Sequence, residues 1–212
     1  MPAESNERKP LAAVILSGGE SSRMGSPKAL IEWKQKTFAE RLIEATRHPR
    51  VGITRIVVGA HQDEIRRKLI ADPSDIVLNA DWRSGQLSSI QAGIRSLPPG
   101  GTSGMILCPV DHPMVFPPLL AQLIEEFDSS GKPIVLPIYS GRRGHPVIFR
   151  ASLYEELLDA SDDVGARQVV WSHAHDVREV PTDQEGVVTN INDRKALEEW
   201  ISKSDAKGRV SP

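Results

Sequence analysis

The strongest constraint on the fold is the apolar run over residues 11–16, Leu-Ala-Ala-Val-Ile-Leu, which stops at Ser17-Gly18-Gly19. A run with no polar alternation is buried on both faces, and such strands belong to parallel sheets covered by helices on either side. Glycines after it mark a loop at the strand's carboxyl edge, where open α/β sheets bind ligands. Further strands are predicted at 53–58, 76–78, 105–108, 134–136, 147–149, 177–180 and 187–189. Between most of them apolar residues recur at helical spacing: Phe38, Leu42 and Ala45; Ile65, Leu69 and Ile70; Leu119, Leu120, Leu123, Ile124 and Phe127. Later helices are expected over 153–158, 166–171 and 195–201. Strands alternating with helices define the class: α/β, a single doubly wound, mostly parallel, Rossmann-like sheet with right-handed crossovers.

At 212 residues the chain fits one domain, expected over 11–202, with a flexible N-terminus at 1–10 and a polar, flexible tail at 203–212. The 26 basic and 28 acidic residues leave a net charge of -2, too little positive field to hold a nucleic-acid backbone. A single cysteine, Cys108, forbids an internal disulfide and suits a reducing compartment, so a cytoplasmic protein is expected. No stretch approaches the ~18 apolar residues of a membrane span, and residues 1–10 contain no apolar targeting segment.

The loop from Ser17 to Lys28 collects glycines, hydroxyls, Arg23 and Lys28 directly after the first strand. Glycine lets main-chain N–H groups approach an anion, arginine offers a planar fork, and lysine adds a compact charge. The spacing matches neither G-x-x-x-x-G-K-[ST] nor G-x-G-x-x-G, which removes the Walker-type and dinucleotide readings.

These residues resemble the signature L-x-x-G-x-S-x-R-M-G-x-x-K of the molybdenum cofactor nucleotidyltransferase-like family, whose members share a nucleotide-diphospho-sugar transferase fold. The resemblance continues through residues 79–93, Pro109-Val110-Asp111-His112-Pro113, Gly144-His145-Pro146 and Asp163-Val164-Gly165-Ala166-Arg167. It implies that Leu16, Ser17 and Gly18 cradle base and ribose, that Gly19 and Arg23 take the β- and γ-phosphates, and that Lys28 serves the transferring phosphoryl group. Asn79, Gly85 and Ser88 join the expected nucleotide-binding set, and Arg23, Lys28 and Asp111 the catalytic one.

Asp111 closes an apolar strand, so its carboxylate should emerge beside the first loop, either as a hard oxygen ligand for Mg²⁺ or as a cap of the turn before Pro113. The family implies a second metal ligand from a later strand. Many relatives read D-I-D-T-P there, whereas this chain reads Asn190-Ile191-Asn192-Asp193-Arg194. Some sugar-phosphate nucleotidyltransferases use an Asn in an N-[ND]-R context, which nominates Asn192; equally, Asn192 or Asp193 could cap the helix beginning near Lys195.

His112 and His145 read as turn or packing residues, with His145 a candidate for touching the acceptor. His173 and His175 read as a solvated face, Cys108 as a buried inert thiol, and the tryptophans as packing, with Trp82 the exception near the nucleotide segment.

The resemblance implies a Mg²⁺-dependent transfer of NMP from an NTP to a small phosphorylated acceptor of the molybdopterin type, releasing pyrophosphate. CTP is favoured over GTP. The alternatives are a sugar- or alditol-phosphate nucleotidyltransferase and a non-catalytic nucleotide-binding maturation partner of a molybdoenzyme. Neither a nucleic acid nor a membrane is an expected partner.

Overall fold

The computed structural model describes residues 8–22, 24–161 and 164–208. In chain order its strands are β1 (Leu11–Ser17), β2 (Glu32–Trp33), β3 (Lys36–Thr37), β4 (Val51–Val58), β5 (Ile76–Leu78), β6 (Gly104–Pro109), β7 (Ile134–Tyr139), β8 (Arg142–Arg143), β9 (Val147–Arg150) and β10 (Val177–Pro181). Its helices are α1 (Phe38–Ala45), α2 (Gln62–Lys68), α3 (Gln86–Arg95), α4 (Pro117–Ser130), α5 (Tyr154–Asp159), α6 (Arg167–Ser172) and α7 (Arg194–Gly208).

The main sheet runs β10-β7-β9-β6-β1-β4-β5, with β8 hydrogen-bonded to β7. β1 lies at its centre, parallel to both β4 and β6, and every residue of β1 is buried. The expected doubly wound, mostly parallel α/β architecture is therefore present. Alternate residues of β1 face opposite cores: Leu11 and Ile15 pack with Phe38, Leu42, Leu123 and Phe127 of α1 and α4, while Ala12, Val14 and Leu16 pack with Ile90 and Ile94 of α3 and Leu157 of α5. Each fully buried aliphatic or aromatic side chain contributes about 1.5–3 kcal/mol, which makes this central strand the anchor of the glycine loop behind it.

Local signals set the helix ends. Thr37 and Glu40 form a capping box for α1, the Thr37 hydroxyl accepting from Glu40 N at 3.2 Å and Thr37 N donating to Glu40 Oε2 at 2.8 Å. Prolines open α4, and Gly131 at φ 66° closes it.

Within this mostly parallel sheet, β9 enters antiparallel between β6 and β7. Three expectations are revised. Residues 187–189 form no strand. They belong to a 3₁₀ turn over Glu185–Val188, where a Cβ on Gly186 would stand 2.4 Å from Met114 O and Thr189 bonds back to Glu185 O and Gly186 O. Ile70 covers no sheet face: α2 ends at Lys68 and leaves Ile70 84% exposed. The last helix continues to Gly208, beyond residue 202, while residues 1–7 and 209–212 of the two ends expected to be flexible lie outside the described residues.

Candidate active site

A cavity of about 480 Å³ opens at the carboxyl edge of β1 and β6. Leu16, Ser17, Gly18, Gly19, Lys28, Gly85, Asp111 and Asn192 all line it, so most of the expected site residues come together. Arg23 and Asp163 lie outside the described residues.

The glycine loop is held from several sides. Val110 N donates to Leu16 O at 3.0 Å, and Ala60 N donates to Gly18 O at 3.2 Å. A Cβ on Gly18 would sit 2.6 Å from Ser89 Oγ, so only glycine lets this strand end rest against the turn before α3. Further on, Ser21 adopts φ 52° and its hydroxyl accepts from Lys28 N at 3.1 Å, folding the loop back so that Lys28 points into the cavity.

Asn79 and Ser88 do not line the cavity; they stand behind its wall. The Asn79 amide donates to Ser88 Oγ at 2.8 Å and Ser89 Oγ at 3.0 Å, and its carbonyl accepts from Asp81 N at 3.0 Å. Ser88 Oγ donates within the same turn, to Gly85 O at 2.8 Å and Asp81 O at 3.0 Å. With their polar atoms spent on protein, both residues shape the turn that presents Trp82, Gly85, Gln86 and Ser89 to the cavity. The Arg83 guanidinium lies over the Trp82 ring at 4.3 Å and fixes the indole.

Lys28, Asp111 and Asn192 meet at one point. Lys28 Nζ donates to Asn192 Oδ1 at 2.5 Å and stands 3.6 Å from Asp111 Oδ2. The C-terminal segment is docked on the strand that carries the aspartate, since Ile191 N donates to Asp111 O at 2.7 Å. Asp193 is the helix cap: its Oδ1 accepts from Ala196 N at 2.9 Å. That leaves the Asn192 carbonyl free of capping and turned to Lys28. Two hard oxygens within reach of one ammonium suit a divalent cation of the Mg²⁺ type. Among the described residues no group of three or more His, Cys, Asp or Glu could hold a metal. The protein donors fit a cation whose remaining ligands come from a bound phosphate chain.

Next to Asp111 lie two imidazoles, His112 and His145, with ring centroids 4.7 Å apart. Nδ1 of each is buried with no hydrogen-bond partner. Burial pushes the His112 pKa down; burial, reinforced by His112 nearby, pushes His145 down to about 4. Arg167, the first residue of α6, closes the rim. Cys108 is buried in β6, and desolvation pushes its thiol up to about 12, which makes it inert as expected.

A family model described as the MobA-like NTP transferase domain matches residues 13–177, which contain the glycine loop, Asp111, His145 and Arg167. The chain belongs to the MobA-like NTP transferase family. A probable molybdenum cofactor guanylyltransferase of Bacillus mycoides (strain KBAB4) is 31% identical over 134 residues, 62% of this chain and 64% of that protein. The match thus spans just under two thirds of that relative. Nicotine blue oxidoreductase of Paenarthrobacter nicotinovorans is 30% identical over 170 residues, 74% of this chain and 79% of that protein. The crystal structure of Rv0371c from Mycobacterium tuberculosis H37Rv superposes with a TM-score of 0.78 at 22% identity, covering 91% of this chain and 98% of that one. A manganese complex of Rv0371c superposes with a TM-score of 0.75 at 21% identity, with the same coverage. The two Rv0371c structures share this chain's fold.

Asn192 lies beyond the matched residues, and its place in this MobA-like site rests on geometry. Gln86, Ser89, His112 and Arg167 line the cavity although the sequence did not single them out, and His145, a candidate for touching the acceptor, lines it too. Each sits in a segment that resembles the family, and that was the available signal. Residue type alone does not separate a lining histidine from a turn histidine. Among the described residues no helix is long and apolar enough to cross a membrane.

Proposed function

We propose that this protein transfers NMP from an NTP to a small phosphorylated acceptor, releasing pyrophosphate, and that the acceptor is a molybdopterin-type cofactor. The observation that carries this reading is the convergence of Lys28, Asp111 and Asn192 at the mouth of a glycine loop. The family membership and the names of the guanylyltransferase relatives support it.

An oxygen of the acceptor phosphate attacks the α-phosphorus in line, a new P–O bond forms, and the bond to the β-phosphate oxygen breaks, so that both electrons leave with pyrophosphate. Such a reaction needs positioning and cationic charge more than covalent help. The main chain at Gly18 and Gly19 admits the phosphates closely, the turn at Gly85 and Ser89 walls in the nucleoside, and Lys28 balances charge on the group in transit. A Mg²⁺ ion held by Asp111 and Asn192 would supply Lewis-acid charge at the phosphate oxygens.

CTP is the proposed donor, supported by the motifs beyond the first loop, which resemble the cytidylyl branch. GTP is the second reading, favoured by the names of the relatives. A redox reading has one observation behind it, the relative named nicotine blue oxidoreductase. Pyrophosphate release is to be measured with each of four NTPs, Mg²⁺ and a panel of molybdopterin, sugar phosphates and alditol phosphates. Release that depends on CTP and molybdopterin is expected. Release with sugar phosphates only would move the acceptor, and NADPH oxidation without release from any NTP would overturn the reading.

A further inference from the structure

The two oxygens assigned to the metal are engaged by a cation of the protein's own. Lys28 Nζ donates to Asn192 Oδ1 at 2.5 Å and stands 3.6 Å from Asp111 Oδ2, and the lysine and aspartate side chains are only 16% and 24% exposed. All three residues are fixed from behind. Lys28 N donates to Ser21 Oγ, Ala29 beside it is buried, Ile191 N donates to Asp111 O, and Asp193 caps α7 so that Asn192 stays turned to the cavity. One ammonium against one carboxylate and one neutral amide leaves this cluster without net charge.

A divalent ion on Asn192 Oδ1, at about 2.1 Å, could stand no farther than about 4.6 Å from that ammonium. Against a single carboxylate, the two cations together would leave two positive charges uncompensated, and partial enclosure weakens the screening that water would give. We propose that Lys28 is a displaceable cation that keeps metal off Asp111 and Asn192 until a nucleoside triphosphate supplies the negative charge that draws it away. This inference rests on the nucleotidyl-transfer reading above and adds an order of loading to it. The lysine stem is long and flexible and carries three donors, so Nζ can pass between acceptors while the backbone stays in place. Gly18 and Gly19 belong to the same loop and line the same cavity, so phosphates seated there offer Nζ replacement oxygens. A bare divalent ion offers it none, and so does not dislodge it. Lys28 thereby guards the metal ligands first and serves the group in transit afterwards.

The test titrates Mn²⁺ alone into the full chain, with free Mn²⁺ read by electron paramagnetic resonance, in wild type, Lys28→Met, Lys28→Arg and the double variant Lys28→Met/Asp111→Asn. Thermal melts check folding, and Lys28→Ala replaces Lys28→Met if the longer side chain lowers the melting point. Without nucleotide, Lys28→Met should bind Mn²⁺ roughly tenfold or more tighter than wild type, because a like charge has gone from beside the ion. Lys28→Arg should stay near wild type. The double variant should lose the gain, which locates the ion at Asp111. Added CTP or GTP should tighten Mn²⁺ binding by a larger factor in wild type than in Lys28→Met, since only in wild type does it remove a competing cation. Equal Mn²⁺ affinity in wild type and Lys28→Met, or a gain that survives Asp111→Asn, overturns the proposal whether or not nucleotide binds. If Lys28→Met gains the site but wild type binds no nucleotide, the metal-excluding role stands and the nucleotidyl-transfer reading falls.

Discussion

The two flanks of the cavity are built differently. On the flank of β1, β4 and β5, polar groups are satisfied within the protein: Asn79 makes three hydrogen bonds, Ser88 joins it, and Gly18 O is taken by Ala60 N. On the flank of β9, two imidazole nitrogens are buried without partners, and Arg167 lines the cavity. A saturated wall is rigid and selects by shape, as suits a donor nucleotide. The other wall carries two buried nitrogens without partners, a desolvation cost that the fold bears beside the site. Asp111 sits at the border and is tied to both sides, to Lys28 by its carboxylate and to Ile191 by its main chain.

The largest expected effect comes from the border. Asp111→Asn should lower turnover by roughly 10²-fold or more, exceeding the effect of altering an outer partner of a metal ligand. Circular dichroism should show an unchanged fold, and near-normal pyrophosphate release by the variant would remove the metal role. Next, Lys28→Ala should act mainly on kcat, by about 10²-fold, because its charge serves the group in transit. Arg23→Ala should act mainly on NTP binding. Equal changes in kcat and KM for both variants would erase that division of labour.

The saturated flank can be broken from behind. Asn79→Ala leaves the cavity lining in place but takes the donor from the buried Ser89 hydroxyl and the acceptor from Asp81 N, so it should cost about 1–3 kcal/mol in denaturant unfolding and raise KM for NTP a few-fold. An unchanged KM would mean that the turn needs no such support. The smallest effect concerns the other flank and pH. His145 has its pKa pushed from 6.5 to about 4, so the unfolded chain takes up the proton first as pH falls. Its contribution to stability is therefore fully present above about pH 6.5 and is lost between there and pH 4. His145→Gln should flatten the stability profile in that window, as read from urea midpoints across pH.

Much of the fold was legible because burial writes itself into composition. The unbroken run at 11–16 announced a central parallel strand, and the glycines after it announced the crevice. The direction of β9 was not legible, since Val147 to Phe149 reads the same in either orientation and only its partners decide. The segment 187–189 looked like a strand from its β-branched residues, yet tight contact at Gly186 turns the chain instead. At the site, residue types announced the charges but not their layer. Asn79 and Ser88 lie one layer behind the wall, and Asn192 and Asp193, equivalent as caps on paper, are separated by which of the two reaches Ala196 N. His112, His145 and Arg167 needed the sheet order before they could be seen on one flank.

In the proposed site, Asp111 and Asn192 hold a cation that the donor's phosphates complete. One carboxylate and one amide give a single negative charge, and Mg²⁺ sheds water reluctantly, so the protein alone should bind it weakly. Linkage then requires Mg²⁺ and NTP to tighten each other by the same factor, about 1–3 kcal/mol. Titration calorimetry, with metal and nucleotide added in either order to wild type and Asn192→Asp, measures this directly. Weak Mg²⁺ binding and strong coupling are expected in wild type, with tighter Mg²⁺ binding and weaker coupling in Asn192→Asp. Tight Mg²⁺ binding by wild type without nucleotide, or unchanged metal affinity in Asn192→Asp, would contradict it.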